Sequence, residues 1–119
     1  MVKPSIGSVI LVHFPFSDLS KSKLRPALVM AQAGNDDYIL CQITSNPWGD
    51  PLAVEISQTS FIRGGLPLTS YARPAKLFTA NDSLFVKEAG RIKETALGAV
   101  VAQTIKVLCG TSIVANENY

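Results

Sequence analysis

The strongest constraint on the fold is a change in apolar periodicity along the chain. Over about the first three quarters, short apolar runs rich in β-branched residues alternate with clusters of Gly, Pro, Asn, Asp and Ser, which is typical of strands joined by turns. The runs expected to be strands or extended segments are 8–14, 26–31, 38–44, 52–56, 69–77 and 84–87. Pro74 predicts that the fifth run lies at a sheet edge or contains a bulge, because proline cannot donate to a ladder. Segments 17–25 and 57–68 are expected to be mostly loop.

The last quarter of the chain follows a helical period instead. Apolar residues recur there at spacings of three and four, which predicts one buried face of a helix beginning near Glu94. These residues are Leu97, Val100, Val101, Ile105 and Leu108. Gly110 is suited to end the helix. The sequence therefore predicts one mainly β domain over residues 1–119, a small β-barrel or curled sheet closed by a C-terminal helix.

Composition excludes several classes of protein. With 47% hydrophobic and 17% charged residues, the chain can bury a core and is not intrinsically disordered. The net charge of +2 is too small to indicate nucleic-acid binding by itself. Its excess lies in residues 1–76, which hold seven basic and five acidic residues, chiefly through Lys21, Lys23 and Arg25.

The sequence gives little support for a metal site or for a segment that crosses a membrane. Cys41 and Cys109 sit in apolar runs, and with a single histidine, His13, the chain offers no ligand set for structural zinc. We expect buried free thiols, no metal and no cofactor. The apolar run 9–16 is too short to cross a bilayer and no cleavage site follows it, so we expect a cytoplasmic protein.

The residues available for chemistry are cations and hydroxyls at predicted strand ends. Arg25 and Arg73 offer planar forks of donors suited to phosphate, and the hydroxyls of Thr44 and Ser45 can bond further phosphate oxygens. Trp48 can stack on an unpaired base. Each has an ordinary structural alternative: a solvated arginine, a strand-to-turn hydroxyl pair, and a tryptophan in the core or in an interface. One histidine cannot supply the pair on which some ribonucleases depend.

The order of these residues is similar to that in a known family. Three stretches carry the likeness: an opening strand with a polar loop and an Arg-Pro, an Ile-Thr-Ser at the end of the third strand, and a later Tyr-Ala-Arg-Pro. They are residues 7–29, 42–45 and 65–79, within a resemblance that covers about residues 6–108. In these stretches the chain resembles the MazF/PemK toxins of bacterial type II toxin–antitoxin systems.

The resemblance implies an SH3-like β-barrel of about six to seven strands with a C-terminal helix, acting as a homodimer. It implies metal-independent, sequence-selective cleavage of single-stranded RNA, often mRNA. The 2′-hydroxyl would attack the neighbouring phosphate and leave 2′,3′-cyclic phosphate and 5′-hydroxyl ends. A cognate antitoxin with an acidic tail would neutralise the toxin, and DNA binding would occur through the antitoxin complex.

The resemblance also implies site residues. Arg25 matches the loop arginine of the family, Thr44 its catalytic threonine, and Arg73 an arginine that some plasmid-encoded members use as a general acid. Those members carry an aspartate where this chain has Ala75. They also have a histidine in the loop that here contains lysines. The residues expected to bind substrate are Ser45, Lys21, Lys23, Asn46 and Trp48.

Two alternatives remain open at the level of sequence. The first is a catalytically degenerate member that binds RNA or antitoxin without cutting, which Ala75 and the missing loop histidine favour. The second is a gyrase-binding toxin of the same fold that cleaves nothing. The general base and the recognised RNA sequence do not follow from the residues.

Overall fold

Short apolar runs separated by turn residues form a single antiparallel sheet. The computed structural model describes residues 4–13 and 23–115, with side chains described up to residue 110. The strands are β1 (Ser8–His13), β2 (Leu24–Gly34), β3 (Asp37–Thr44), β4 (Val54–Ile56), β5 (Phe61–Gly64), β6 (Ser70–Asn81) and β7 (Phe85–Ile92). One helix, α1 (Glu94–Ala115), follows them.

The spatial order of the strands is β4-β6-β3-β2-β1-β7-β5, and every neighbouring pair is antiparallel. Register shifts interrupt the β1–β7, β2–β3 and β3–β6 pairs. Such bulges increase local twist, and the sheet curls into a half-barrel. Helix α1 packs on β6 and β4. The predicted mainly β architecture with a C-terminal helix is confirmed.

The middle portions of the central strands are apolar because both of their faces are buried there. Alternate residues along a strand point to opposite faces, so Val9 and Ile10 enter different clusters. The first cluster contains Val9, Leu28, Cys41, Ile43, Ile56, Phe61, Ala72, Ile92 and Val100. The second contains Ile10, Val12, Ala27, Val29, Leu40 and Ala80, with Tyr38, Phe78 and Phe85 packed against it.

Two expectations about strands need correction. Strand β5 (Phe61–Gly64) lies within the segment predicted to be mostly loop, where its pairing with β7 compensates for the two glycines that weaken its propensity. Arg25 belongs to β2 and not to a loop, because β2 continues alongside β1 as far as Leu24. The expectation for Pro74 is confirmed: β4 pairs with β6 only over Ser70–Ala72, so no strand in the described ranges pairs with Pro74 on that side. The predicted bulge is present, because the β3–β6 register shifts opposite this proline.

The helix begins at Glu94, as predicted, but its buried face is narrower than the apolar spacing indicated. Val100 is fully buried and Leu97 is half-buried, whereas Ile105 and Leu108 are 53% and 70% exposed. The inward position one turn after Val100 is taken by Thr104, whose hydroxyl donates to the Val100 carbonyl. Gly110 has a non-helical backbone (φ 72°, ψ 162°) and interrupts the helix near the predicted end. In the described part of the chain, no helix has the length and apolar character needed to cross a membrane.

The close contact between β5 and β7 requires glycine on both strands. Gly64 has a φ of 67°, and a Cβ built there would clash with the Ala89 carbonyl oxygen and lie 2.7 Å from the Gly90 Cα. A Cβ on Gly90 would lie 2.6 Å from the Arg63 carbonyl oxygen. The two backbones therefore approach more closely than any residue with a side chain would allow.

Gly64→Ala should lower the free energy of unfolding by about 2 to 4 kcal/mol, because the substitution adds overpacking to left-handed strain. Gly98→Ala is the matched control, since nothing lies within 4 Å of its added Cβ. This helical substitution should raise stability by about 0.5 to 1 kcal/mol. Urea unfolding of both variants measures the difference, and equal stabilities would contradict the close-contact account.

Candidate active site

The pairing of β2 with β3 brings Arg25 and Thr44 to one place. Ala27 pairs with Gln42, and the same register extended by two residues sets Arg25 opposite Thr44. Both side chains line a groove of about 350 Å³, together with Ser45. The opposite wall is the β5–β6 loop, residues 66–68. Three of the residues predicted for the site are thus brought together, Arg25 from β2 and the adjacent Thr44 and Ser45 from the end of β3.

Arg25 contributes a positive charge to this groove. Its side chain is exposed, and it makes no hydrogen bond or ion pair with any residue in the described ranges. No carboxylate lies among the groove-lining residues that the structure describes. Hydrogen bonds to a charged donor are about twice as strong as neutral ones, so an unpaired guanidinium favours an anionic ligand. Lys23 is also exposed, immediately before β2, whereas Lys21 lies outside the described residues.

The Thr44 hydroxyl is engaged with its own turn. Its Oγ1 donates to the Asn46 carbonyl oxygen at 3.1 Å and lies 3.2 Å from the Asn46 amide nitrogen, which donates to it. Thr44 therefore does play the structural role named as its alternative, that of a hydroxyl at a strand-to-turn junction. A hydroxyl hydrogen rotates freely and the oxygen has two lone pairs, so the proton can turn to a phosphate while the Asn46 amide stays bonded. Ser45 is exposed at the same strand end.

Trp48 stands on a tightly closed loop between β3 and β4. Its indole is 79% exposed, so the core alternative for this residue is wrong. Trp48 and Gly49 both have positive φ, 53° and 71°. The Asn46 side chain accepts a hydrogen bond from the Trp48 amide at 3.0 Å. Local side-chain bonds of this kind hold the backbone in a region that a bulky residue seldom adopts.

Arg73 is not among the residues that line the groove with Arg25. Its Nε donates to Asp50 Oδ2 at 3.0 Å, and the two side chains are only 23% and 9% exposed. Asp50 is the residue that sequence reasoning missed. The available signal was its place in an Asn-Pro-Trp-Gly-Asp-Pro turn cluster, but its partner is 23 positions away and is reached only through the β4–β6 pairing.

Two ionisable groups near this loop are shifted by their surroundings. Hydrogen bonds from the Leu52 amide and from Arg73 lower the pKa of Asp50 below its ordinary value. Burial raises the pKa of Cys41 to about 12, so this thiol is not a nucleophile near neutral pH. No group of three or more His, Cys, Asp or Glu residues suited to a metal ion occurs in residues 4–13 and 23–115.

Comparison with known proteins identifies the class. Residues 5–108 match the family described as the PemK-like, MazF-like toxin of type II toxin–antitoxin systems. The match covers most of the chain, and the chain belongs to this family. The family resemblance given by the sequence motifs is thereby confirmed. No curated protein matches the sequence.

Solved structures of low identity share the fold. An endoribonuclease in complex with its cognate antitoxin, from Mycobacterial species, is 15% identical with a TM-score of 0.68, over 91% of this chain and 95% of that chain. A MazE-MazF structure from Deinococcus radiodurans is 17% identical with a TM-score of 0.71, over 88% and 95%. The toxin MazF-mt6 of Mycobacterium tuberculosis is 12% identical with a TM-score of 0.67, over 85% and 95%.

The pair of Asp50 and Arg73 should make stability depend on pH. Because folding lowers the pKa of Asp50, its contribution is complete above the ordinary value of 3.8 and is lost as the pH falls through the lower folded value. Asp50→Asn should cost about 1 to 2 kcal/mol of unfolding free energy near neutral pH and much less in strong acid. Urea unfolding at both pH values measures this, with the exposed Glu55→Gln as the control. An equal cost at both pH values would contradict the assignment.

Proposed function

We propose that this protein is a toxin endoribonuclease that cleaves single-stranded RNA at the groove lined by the ends of β2 and β3 and by the β5–β6 loop. The observation that carries the proposal is the joint presence in one groove of the Arg25 guanidinium, which has no partner among the described residues, and the Thr44 hydroxyl. Family membership supports it, as do structural relatives whose descriptions name them endoribonucleases.

The proposed reaction is internal transfer within the RNA. The ribose 2′-oxygen loses its proton and forms a bond to the adjacent phosphorus, while the bond from phosphorus to the 5′-oxygen breaks. The 5′-oxygen takes up a proton, leaving 2′,3′-cyclic phosphate and 5′-hydroxyl ends. The substrate supplies its own nucleophile, so the protein needs only to align the two oxygens and stabilise the charge that develops.

Arg25 and Thr44 divide this work in the proposal. The guanidinium donates to the non-bridging phosphate oxygens, and the Thr44 hydroxyl turns from the Asn46 carbonyl to the same phosphate. Ser45, exposed beside them, helps to position it. Among the described groove residues none has a carboxylate or an imidazole, so a general base is not assigned. Arg25 has too high a pKa to serve as one, which favours an electrostatic or substrate-assisted route.

Substrate binding extends beyond the phosphate in this proposal. Trp48, 79% exposed, offers an aromatic surface to an unpaired base, and Asn46 in the same loop offers amide groups. Lys23, and Lys21 outside the described residues, would attract the RNA backbone. Single-stranded RNA is commonly read through splayed bases stacked on such rings. The family resemblance predicts Arg73 as a general acid, but its ion pair with Asp50, away from the groove lining, gives it no step in the reaction proposed here.

The exposed cations Arg25 and Lys23 also support an antitoxin as a proposed partner. Relatives are described in complex with a cognate antitoxin or as MazE-MazF assemblies, and we propose that this chain is likewise neutralised by an antitoxin. An acidic tail laid along the groove would meet Arg25 and Lys23. A homodimer in the cytoplasm, acting without metal or cofactor and binding DNA only through the antitoxin, completes the proposal.

A second function is favoured by one observation. The Thr44 hydroxyl donates to the Asn46 carbonyl, as it would in a protein that binds RNA or antitoxin without cutting. Ala75 agrees with that alternative. A gyrase-binding toxin of the same fold has no supporting feature in the groove.

Cleavage of mixed-sequence single-stranded RNA in the presence of EDTA tests the main proposal. Wild-type protein should yield fragments ending in cyclic phosphate, and Arg25→Ala should lose at least about a hundredfold in rate because it removes an oxyanion donor. Thr44→Val should lose about tenfold or more and Thr44→Ser much less, because only serine retains the hydroxyl. Lys106→Ala, an exposed cation on α1, is the control and should cut normally.

The same assay separates the alternatives. Binding of RNA without any cleavage would favour the degenerate module, and inhibition of supercoiling without RNA binding would favour the gyrase-binding toxin. Wild-type cleavage rates in purified Arg25→Ala would contradict the proposed clamp.

A purified candidate antitoxin should displace RNA from the groove. A fluorescent, uncleavable 2′-O-methyl RNA bound to the protein should be released as antitoxin is added, and release should weaken as salt screens the charges. Arg25→Ala should weaken binding of both ligands, whereas Lys106→Ala should change neither. Simultaneous, independent binding of RNA and antitoxin would rule out a shared groove.

A further inference from the structure

We propose that Asp50 and Arg73 are positioning residues that hold Trp48 in its binding orientation, an inference that rests on the proposed RNA-binding role of Trp48. Neither side chain lines the groove with Arg25 and Thr44. Their ion pair instead ties the loop between β3 and β4 to strand β6.

Asp50 joins most of the polar contacts that close this loop. Its Oδ1 accepts from the Leu52 amide at 2.9 Å, and its Oδ2 accepts from Arg73 Nε at 3.0 Å. Its own amide donates to the Pro47 carbonyl at 2.9 Å, and its carbonyl accepts from the Ala53 amide at 3.2 Å. One residue thus bonds to both sides of Trp48 and to a strand of the sheet.

Strand β3 in turn holds Arg73 in place, through a contact with Cys41. Its carbonyl accepts a hydrogen bond from the Cys41 thiol at 3.2 Å, and the next residue, Pro74, is buried. Cys41 lies three residues before Thr44 on the same strand. The loop that carries Trp48 is therefore held to the strand that carries the candidate catalytic hydroxyl at two places, through Thr44 itself and through Asp50, Arg73 and Cys41.

The loop has an unusual backbone conformation, which the linkage through Asp50 and Arg73 would maintain. Trp48 has a φ of 53°, a region that a bulky residue adopts only when its surroundings determine it. The Asn46 side chain restrains the Trp48 amide, and Asp50 restrains the backbone on either side of Trp48, through the Pro47 carbonyl and the Leu52 amide. Without the carboxylate or its arginine partner, the backbone should relax and the exposed ring should move more freely.

The kinetic consequence differs from that of a catalytic residue. A more mobile Trp48 ring would bind the flanking base less well in both the ground state and the transition state. KM would therefore rise, and kcat would stay nearly unchanged. We expect KM to rise about tenfold in Asp50→Ala and in Arg73→Ala, since each loses a charge-assisted hydrogen bond. The double variant should be no worse than either single one.

Trp48 is the only tryptophan in the chain, so its fluorescence reports on the loop directly. In time-resolved anisotropy of the free protein, the slow component reports tumbling of the whole protein, and its amplitude should fall in favour of a fast component in Asp50→Ala, in Arg73→Ala and in the double variant. Glu55→Ala removes an exposed carboxylate from strand β4 and should leave that amplitude unchanged. Asp50→Asn, which keeps the shape and removes the charge, replaces Asp50→Ala if that variant does not fold.

The anisotropy measurement needs no RNA, so it decides the inference even if the wild type cuts nothing. A slow component of unchanged amplitude in both variants would overturn the inference. Loss of kcat in Arg73→Ala alone, with Asp50→Ala cutting normally, would overturn it as well, since Arg73 would then contact the substrate itself.

Discussion

The antiparallel register of β2 and β3 is the constraint on which the candidate site depends. Extended by two residues from the pair of Ala27 and Gln42, it sets Arg25 opposite Thr44 at the end of two strands whose middle portions are buried on both faces. A slip of one residue would send the two side chains to opposite faces and would disrupt the packing of both apolar clusters. The hydrophobic pattern that stabilises the sheet thus also specifies the geometry of the groove.

Two arginines of the same chain occupy contrasting electrostatic environments. Arg25 is exposed and has no described partner, so its charge is available to an anion, whereas Arg73 is largely covered and bonded to Asp50. A protein that binds a phosphate by fixed donors needs both kinds of arrangement: a free cation at the reacting group and rigid surroundings that keep the binding loop in place. The structure supplies these on β2 and β6, the two strands that flank β3.

The strand pattern, the helix start and the convergence of Arg25 with Thr44 could all be predicted from sequence, because each follows from local periodicity or from motif order. Strand β5 could not, because its glycines weaken local propensity and only the close approach of β7 explains it. Helical spacing also assigned Leu108 to a buried face that the sheet does not reach. The role of Asp50 could not be predicted either, because it arises from a long-range contact with Arg73 that no short motif encodes.

The most direct test is a crystal structure of the protein with a single-stranded RNA that it recognises, blocked by a 2′-O-methyl group at the nucleotide that would attack. The account predicts one phosphate within about 3.2 Å of donors from both the Arg25 guanidinium and the Thr44 hydroxyl. It would be contradicted if the scissile phosphate contacted neither residue, or if the two residues held different phosphates.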